Sequence, residues 1–257
     1  MQNLKSYITE KHRIKFSNVD NFNRLKPMEA ARWFQDIFLK QDETQQRVLL
    51  LIDRTSDLTW ILLNYDMNIY HFGKIGDNIT VETYPYSFNK FYGNRIFLLK
   101  DENGKIIIEA KTRWLFVEKD TFKIRKVTKE IANVYDIEDI EKGRGFDVDK
   151  IDDELFNNVE YKPLQIRHCD LDTNNHVNNA LYFSYFLDYV DEDVLSNYLP
   201  YKIQVTYKKQ ITINDKPIVY SKDTIEDGQK YTNIKICSKE NEIYTLIKIL
   251  WKKKDEY

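Results

Sequence analysis

Sliding the chain along itself by 152 residues lays IKFSNVDNFNRLKPMEAARWFQDIF (14–38) over IRHCDLDTNNHVNNALYFSYFLDYV (166–190). Ile14 then falls on Ile166, Val19 on Leu171, Asp20 on Asp172, Asn23 on Asn175, Leu25 on Val177, Phe34 on Phe186 and Asp36 on Asp188. Further along, a shift of 137 brings Trp114 onto Trp251. Matches that keep their order along a chain point to a duplicated domain. This constrains the fold more than any other feature, because one structural plan must serve both halves. A length of 257 residues accommodates two domains. With 42% hydrophobic and 14% aromatic residues, each half can bury a core.

Each half starts with a short strand, a polar loop and a helix. In the first half Pro27 suits an early helical position, Glu29 follows in the first turn, and Ala30, Phe34, Ile37 and Phe38 form an apolar stripe. In the second half Asn178 or Asn179 is the expected N-cap. The segment ALYFSYFLDYV (180–190) is apolar nearly all round, as a helix enveloped by protein would be. Strand-like stretches follow: TWILLNYDMNIY, NITVETYPYSF, NRIFLLKD and KIIIEAKTRWLFVEK, then YKIQVTYKKQI, PIVYSKDTIED, YTNIKICSKE and IYTLIKILWKK. Turn residues separate several of them, at Gly76-Asp77, Asp101 to Gly104, Asn214-Asp215 and Asp227-Gly228. One long helix followed by an antiparallel meander predicts a sheet wrapped around that helix. The charged run KEIANVYDIEDIEKGRGFDVDKIDDEL reads as a linker with short helices. The expected partition is a first domain at 1–130, a linker at 131–160 and a second domain at 161–257.

Charge excludes some partners. With 39 basic and 41 acidic residues the net charge is −2, which offers no general attraction to nucleic acid or anionic membranes. No window approaches the apolar length of a membrane span, and the N-terminal MQNLKSYITEKHRIKF has no apolar stretch of a secretory leader. Cys169 and Cys237 lie far apart, so free thiols in a reducing cytoplasm are expected.

The chemistry concentrates in RHCDLDTNNHVNNAL (167–181). As a calcium loop, Asp170, Asp172 and Asn174 would supply oxygen ligands, but Asn175 stands where the turn glycine belongs and Leu181 where the bidentate glutamate belongs. Zinc would have only His168 and His176 nearby, with no further ligands at the right spacing. No metal is expected. A capping loop accounts for Asn178, Asn179 and Asp170, whose side chains satisfy backbone groups ahead of a buried helix. It leaves unexplained why a carboxylate, an amide and an imidazole sit beside so apolar a segment. The catalytic reading takes Asp172, Asn174 and His176, which share a face if the segment is extended and which a loop could also gather. Together they can position and deprotonate a water, while N–H groups at the start of the following helix hold an oxyanion. That combination suits ester or thioester hydrolysis, since a thiol pKa of about 8.5 makes a thiolate a fair leaving group. Phe22 and Arg24 stand at the matching positions of the first half, so only the second half could be catalytic.

DLDTNNHVNNALYFSYFLD closely resembles the D-x-N-x-H-V-N-N-x-x-Y signature of the acyl-acyl carrier protein thioesterases of bacteria and plant plastids. The likeness extends upstream, where the stretch from Trp60 to Asp120 resembles the family's N-terminal domain in its Gly-Asp turn, Thr83, Arg95, Asp101, Gly104 and Trp114. The resemblance implies an α+β fold of two tandem hotdog domains, a double hotdog, each an antiparallel sheet wrapped around a long central helix. It implies hydrolysis of fatty acyl-acyl carrier protein to free fatty acid, ending fatty acid synthesis, with no cofactor and the carrier's acyl-phosphopantetheine as partner. It places catalytic roles on Asp172, Asn174 and His176. The family's plant members carry an acidic residue and often a cysteine after YRRE-like residues. This chain has YKKQI, with Gln210 for the acid and Ile211 for the cysteine, which argues against a cysteine nucleophile. Gln210 can orient a water but cannot act as a base, and Cys169 is read as a small packing residue.

The resemblance also assigns the N-terminal domain to shaping the acyl pocket, which singles out Trp33, Phe34 and Trp60 for substrate binding. Asn178, Asn179 and Tyr182 complete the expected substrate-binding set, with packing an equal alternative for Tyr182. Lys208-Lys209 and Lys252 to Lys254 are basic runs that could steer an acidic carrier protein. The rival readings are an acyl-CoA thioesterase and a non-catalytic acyl-binding hotdog protein, and the pattern leaves room for a homodimer.

Overall fold

The computed structural model describes residues 6–52, 58–137, 140 and 145–256. Of the charged stretch read as a linker, residues 138, 139 and 141–144 lie outside the described residues. The chain divides into two compact units. The first comprises Met1–Leu25, Glu29–Tyr65 and Phe72–Asp147, the second Lys26–Met28, Asp66–His71 and Val148–Tyr257.

The first unit holds all or most of β1 (Ile8–Arg13), a 3-10 turn (Phe16–Asn18), α1 (Pro27–Ile52, from residue 29), β2 (Leu58–Ile69, to residue 65), β3 (Asn78–Phe88), β4 (Tyr92–Lys100), β5 (Ile106–Glu118) and α2 (Lys129–Val134). Its strands lie in the order β1-β3-β4-β5-β2. The pairings β1 with β3, β3 with β4 and β4 with β5 are antiparallel. Helix α1 opens at Pro27, where a missing N–H costs nothing. Its Ala30, Phe34, Ile37 and Phe38 are buried, each large side chain stabilising the fold by about 1.5–3 kcal/mol. Phe34 packs on Phe97 of β4 with ring centres 5.2 Å apart, and Phe38 stacks on Trp114 of β5 at 4.4 Å. The apolar stripe of α1 therefore lies against the sheet.

The second unit runs through a 3-10 turn (Asp153–Phe156), β6 (Tyr161–Pro163), a helical segment, α4 (Glu192–Asn197), β7 (Tyr198–Tyr207), β8 (Ile218–Glu226), β9 (Gln229–Cys237) and β10 (Ile243–Lys253). The strand order is β7-β10-β9-β8-β6, with antiparallel pairings. Strand β10 buries Thr245, Ile247, Ile249 and Trp251 on one face, the period-two pattern of a half-buried strand. The turns expected at Gly76, Gly104 and Asp227-Gly228 are present, with positive φ at each of these four residues. Extensive antiparallel sheet with few helices fits a hotdog fold.

Two details differ from expectation. The segment 180–190 is not one long helix. It consists of a 3-10 turn (Asn179–Leu181), α3 (Tyr182–Tyr185) and a second 3-10 turn (Phe186–Tyr189). Its aromatic residues are poor helix formers, and Tyr182, Phe183, Tyr185 and Phe186 are all buried, so packing rather than a helical ladder sets the backbone. Strand β7 ends at Tyr207, short of Ile211, because Lys208 and Lys209 both turn their N–H groups to the carbonyl of Tyr244, at 2.8 and 3.1 Å.

Candidate active site

The polar segment folds as two successive turns. In the first, Asp170 is buried; its Oδ2 accepts the Arg167 N–H at 2.9 Å and its Oδ1 accepts Arg167 Nη2 at 2.8 Å. Burial alone would raise the Asp170 carboxyl, but the side-chain and backbone bonds from Arg167 outweigh it and hold the group below the usual carboxylate value. Asn178 N–H closes this turn on the Asp170 carbonyl at 2.9 Å.

The second turn spans 172–176. Asp172 Oδ1 accepts the N–H groups of Asn174 at 2.8 Å and His176 at 3.2 Å. The Asp172 N–H donates to the His176 carbonyl at 2.7 Å, and Asn175 takes a left-handed φ of 61°. Leu171 and Val177 form an antiparallel bridge that closes the base of the turn. Asp172, Asn174 and His176 are thus gathered by a turn, not aligned on an extended face. Asp172 and His176 are half-buried and Asn174 is exposed.

The same turn stands in the first unit. Asp20 Oδ1 accepts the N–H groups of Phe22 and Arg24, both at 2.9 Å. Asn23 has φ 59°, and Val19 bridges Leu25. The duplication read from the sequence is therefore one of hydrogen bonds as well as residues. In the first unit the place of His176 is filled by Arg24, which pairs with Asp20 at 2.7 Å.

Backbone pairing brings a second segment to the turn. Val177 N–H donates to the Ile211 carbonyl at 2.8 Å, and His176 bridges Thr212. Exposed Gln210 is thereby held next to the His176 segment. Asp215, which the sequence marked only as a turn residue, accepts from Thr212 N–H at 2.7 Å, from Thr212 Oγ1 at 2.8 Å and from the Tyr244 hydroxyl at 3.1 Å. Burial would push its carboxyl up, but the Thr212 and Tyr244 bonds and nearby Lys209 keep it below the usual value. Nothing in the local sequence exposes this cluster, because Tyr244 lies on another strand.

The other expected residues take different places. Asn178 is the N-cap of the 179–181 turn, its Oδ1 accepting the Ala180 N–H at 2.9 Å. Leu181 N–H bonds the Asn178 carbonyl at 3.0 Å. Of the N–H groups at the start of this segment, those of Ala180 and Leu181 are therefore already engaged. Asn179 accepts the Tyr207 hydroxyl on its carbonyl at 2.9 Å. Tyr182 is 2% exposed and packs edge-on against Tyr207 at 5.3 Å, and burial drives its hydroxyl well above the ordinary value. Cys169 is exposed, which corrects its reading as a packing residue, whereas Cys237 is buried.

In the first unit, Trp33 stacks on His12 with ring centres 5.3 Å apart, and Phe34 is enclosed against Phe97. Trp60 lines a small apolar cavity of about 20 Å³ together with Phe38, Phe88, Arg95, Trp114 and Tyr135. Its indole N–H donates to the Tyr135 hydroxyl at 2.7 Å. Among the described residues no helix is long and apolar enough to cross a membrane, and no group of three or more His, Cys, Asp or Glu is placed to hold a metal.

Solved thioesterases share this fold. An acyl-ACP thioesterase of Bacteroides thetaiotaomicron superposes with a TM-score of 0.80 at 16% identity, covering 96% of this chain and 98% of that one. The 12:0-ACP thioesterase of Umbellularia californica gives 0.80 at 14% identity, covering 96% and 94%. Residues 5–135 match the acyl-ACP thioesterase N-terminal domain, and residues 153–253 match the C-terminal domain. The chain belongs to the acyl-ACP thioesterase family. Among curated relatives, oleoyl-acyl carrier protein thioesterase 1 of Arabidopsis thaliana is 24% identical over 174 residues, covering 63% of this chain and 47% of the relative. The acyl-[acyl-carrier-protein] hydrolase FATB2 of Cuphea viscosissima is 25% identical over 160 residues, covering 60% and 39%. The chain spans about half the length of the first of these relatives, and less of the second.

Proposed function

We propose that the protein hydrolyses the thioester of fatty acyl-acyl carrier protein, releasing free fatty acid and holo-carrier and so terminating fatty acid synthesis. The observation that carries this reading is the joining of the 172–176 turn to the 210–212 segment through His176 and Thr212, in the unit that bears the family signature. The domain plan that goes with it is a tandem double hotdog, with domains at 1–130 and 161–257 and a linker at 131–160.

The bonds that anchor the turn use Asp172 Oδ1, leaving Oδ2 to act on water. In this mechanism Asp172 takes a proton from the water as its oxygen attacks the thioester carbonyl carbon. His176 and Asn174 position the water and the thioester, and the Gln210 amide supports them. The tetrahedral intermediate collapses with cleavage of the C–S bond, and the departing thiolate needs little acid assistance. Ile211 stands where a cysteine would be needed, so no covalent acyl-enzyme is required. The apolar lining around Trp60 is the proposed start of the acyl pocket, and the cavity of about 20 Å³ has to widen by side-chain movement to take a chain.

The test is incubation of the purified protein with a mixed acyl-ACP pool, with detection of free thiol and identification of released acids. Acyl-CoA of matched chain length serves as comparison. Turnover on acyl-ACP supports the reading. Preference for acyl-CoA makes the protein an acyl-CoA thioesterase, and stoichiometric uptake without release makes it a binding protein.

A further inference from the structure

The segment 208–212 is held from both sides, and both holds converge on one carboxylate. On one side the Tyr244 carbonyl accepts Lys208 and Lys209 N–H, while the Tyr244 hydroxyl donates to Asp215 Oδ1 at 3.1 Å. On the other side Asp215 Oδ2 takes both the N–H and the hydroxyl of Thr212, the residue that bridges His176. The first unit separates scaffold from addition. There Leu25 N–H donates to the Gly73 carbonyl as Val177 does to Ile211, and Asp77 Oδ2 caps the Lys74 N–H at 2.8 Å as Asp215 caps Thr212. The backbone cap is thus common to both halves. The two hydroxyl bonds are made in the second half, where Thr212 stands in place of Lys74.

We propose that Asp215, Thr212 and Tyr244 form a positioning unit that fixes His176 and Gln210 relative to each other, beyond the turn-capping that both halves share. This rests on the thioesterase reading for its kinetic consequence but not for its structural one. A segment that leaves its strand at Tyr207 is held by separate backbone bonds rather than a continuous ladder, so hydroxyls anchored on a common carboxylate help determine where Gln210 sits. A displacement of about 1 Å at such a site is enough to lower turnover about 100-fold.

The test uses Thr212→Val and Tyr244→Phe, which remove the hydroxyls while keeping the backbone cap, with Thr212→Ser as rescue and Asp77→Ala as a first-unit control. Two quantities are measured on folded protein: kcat and KM on acyl-ACP, and amide hydrogen exchange at Val177. The expected result is a fall in kcat of about 10- to 100-fold with KM within about 2-fold, faster exchange at Val177, and near-complete recovery in Thr212→Ser. Asp77→Ala should lower thermal stability and leave kcat unchanged. Because the two hydroxyls share one carboxylate, the double variant should lose less than the product of the single losses. Unchanged Val177 exchange in both hydroxyl variants overturns the proposal, as does faster exchange with wild-type kcat. Absence of hydrolysis by the wild type would instead count against the functional reading, and Val177 exchange would still decide whether the unit positions the segment.

Discussion

Asp172→Asn separates the turn anchoring that the structure shows from the general-base role proposed for the same side chain. The asparagine Oδ1 can still accept from Asn174 and His176 N–H, at 2.8 and 3.2 Å in the wild type, so the turn survives. What is lost in stability is the difference between a charged and a neutral acceptor, about 1 kcal/mol on a half-exposed turn. In a chain of this size that lowers Tm by roughly 2–4 °C. What is lost in chemistry is larger, because an amide oxygen cannot accept the proton of the attacking water. Positioned general bases contribute about 10²- to 10⁴-fold, or about 3–5 kcal/mol of barrier. Asp20→Asn is the control. It makes the same exchange in the same turn and also loses the charge paired with Arg24 at 2.7 Å, so it should cost at least as much Tm and leave kcat untouched. Thermal melts and free-thiol detection on acyl-ACP, run at one pH, give both quantities. If Asp172→Asn keeps kcat within about 3-fold of wild type, well short of the loss of a general base, then Asp172 is a turn anchor like Asp20. The base must then be sought elsewhere.

Gly93→Ala should narrow the proposed acyl pocket, because a Cβ there would come within 2.8 Å of the Phe88 ring and 3.1 Å of Trp60. Acids released from a mixed acyl-ACP pool should shift toward shorter chains, and an unchanged profile would remove the Trp60 cavity from the acyl path. Raising salt from about 0.05 to about 0.5 M should reduce kcat/KM for acyl-ACP more than for acyl-CoA of equal chain length, through screening of surface charge such as Lys208 and Lys209. Equal slopes would end the steering argument. Asp170 and Asp215 both have depressed carboxyl values, so their stabilisation is present above the unfolded value of about 3.9 and is lost as pH falls through the lower folded value. Melts should show Tm falling below about pH 4, and Asp170→Asn should flatten part of that acid limb. An acid limb parallel to that of the wild type would mean that Asp170 does not contribute to it.

The turns and most strands were legible because each rests on local chemistry. Gly76, Gly104 and Gly228 supply the left-handed backbone of the turns read from the sequence, whereas the aspartate-capped turns at 20–24 and 172–176 emerged only from the structure. The broken helix at 179–189 was not legible, since an apolar run reports burial and says little about whether the backbone winds as α or 3-10. The end of β7 at Tyr207 was hidden because the Tyr244 carbonyl that captures Lys208 and Lys209 comes from β10. Asp215 was missed for the same reason, its meaning depending on a hydroxyl 29 residues away.

The duplication supplies what a single domain could not, a second copy of the scaffold without the chemistry. Whatever both halves share is accounted for by folding: the aspartate of the turn, the left-handed asparagine, the apolar bridge and the carboxylate cap at Asp77 and Asp215. Function should therefore reside in what the second half has added, namely Asn174, His176, Gln210 and the Thr212 and Tyr244 hydroxyls. Asp172 is the one member of the proposed mechanism that belongs to the shared set. Its presence in the first half shows that the turn alone is sufficient reason to keep it, so the base role proposed for it falls to Oδ2, the oxygen these backbone bonds do not use.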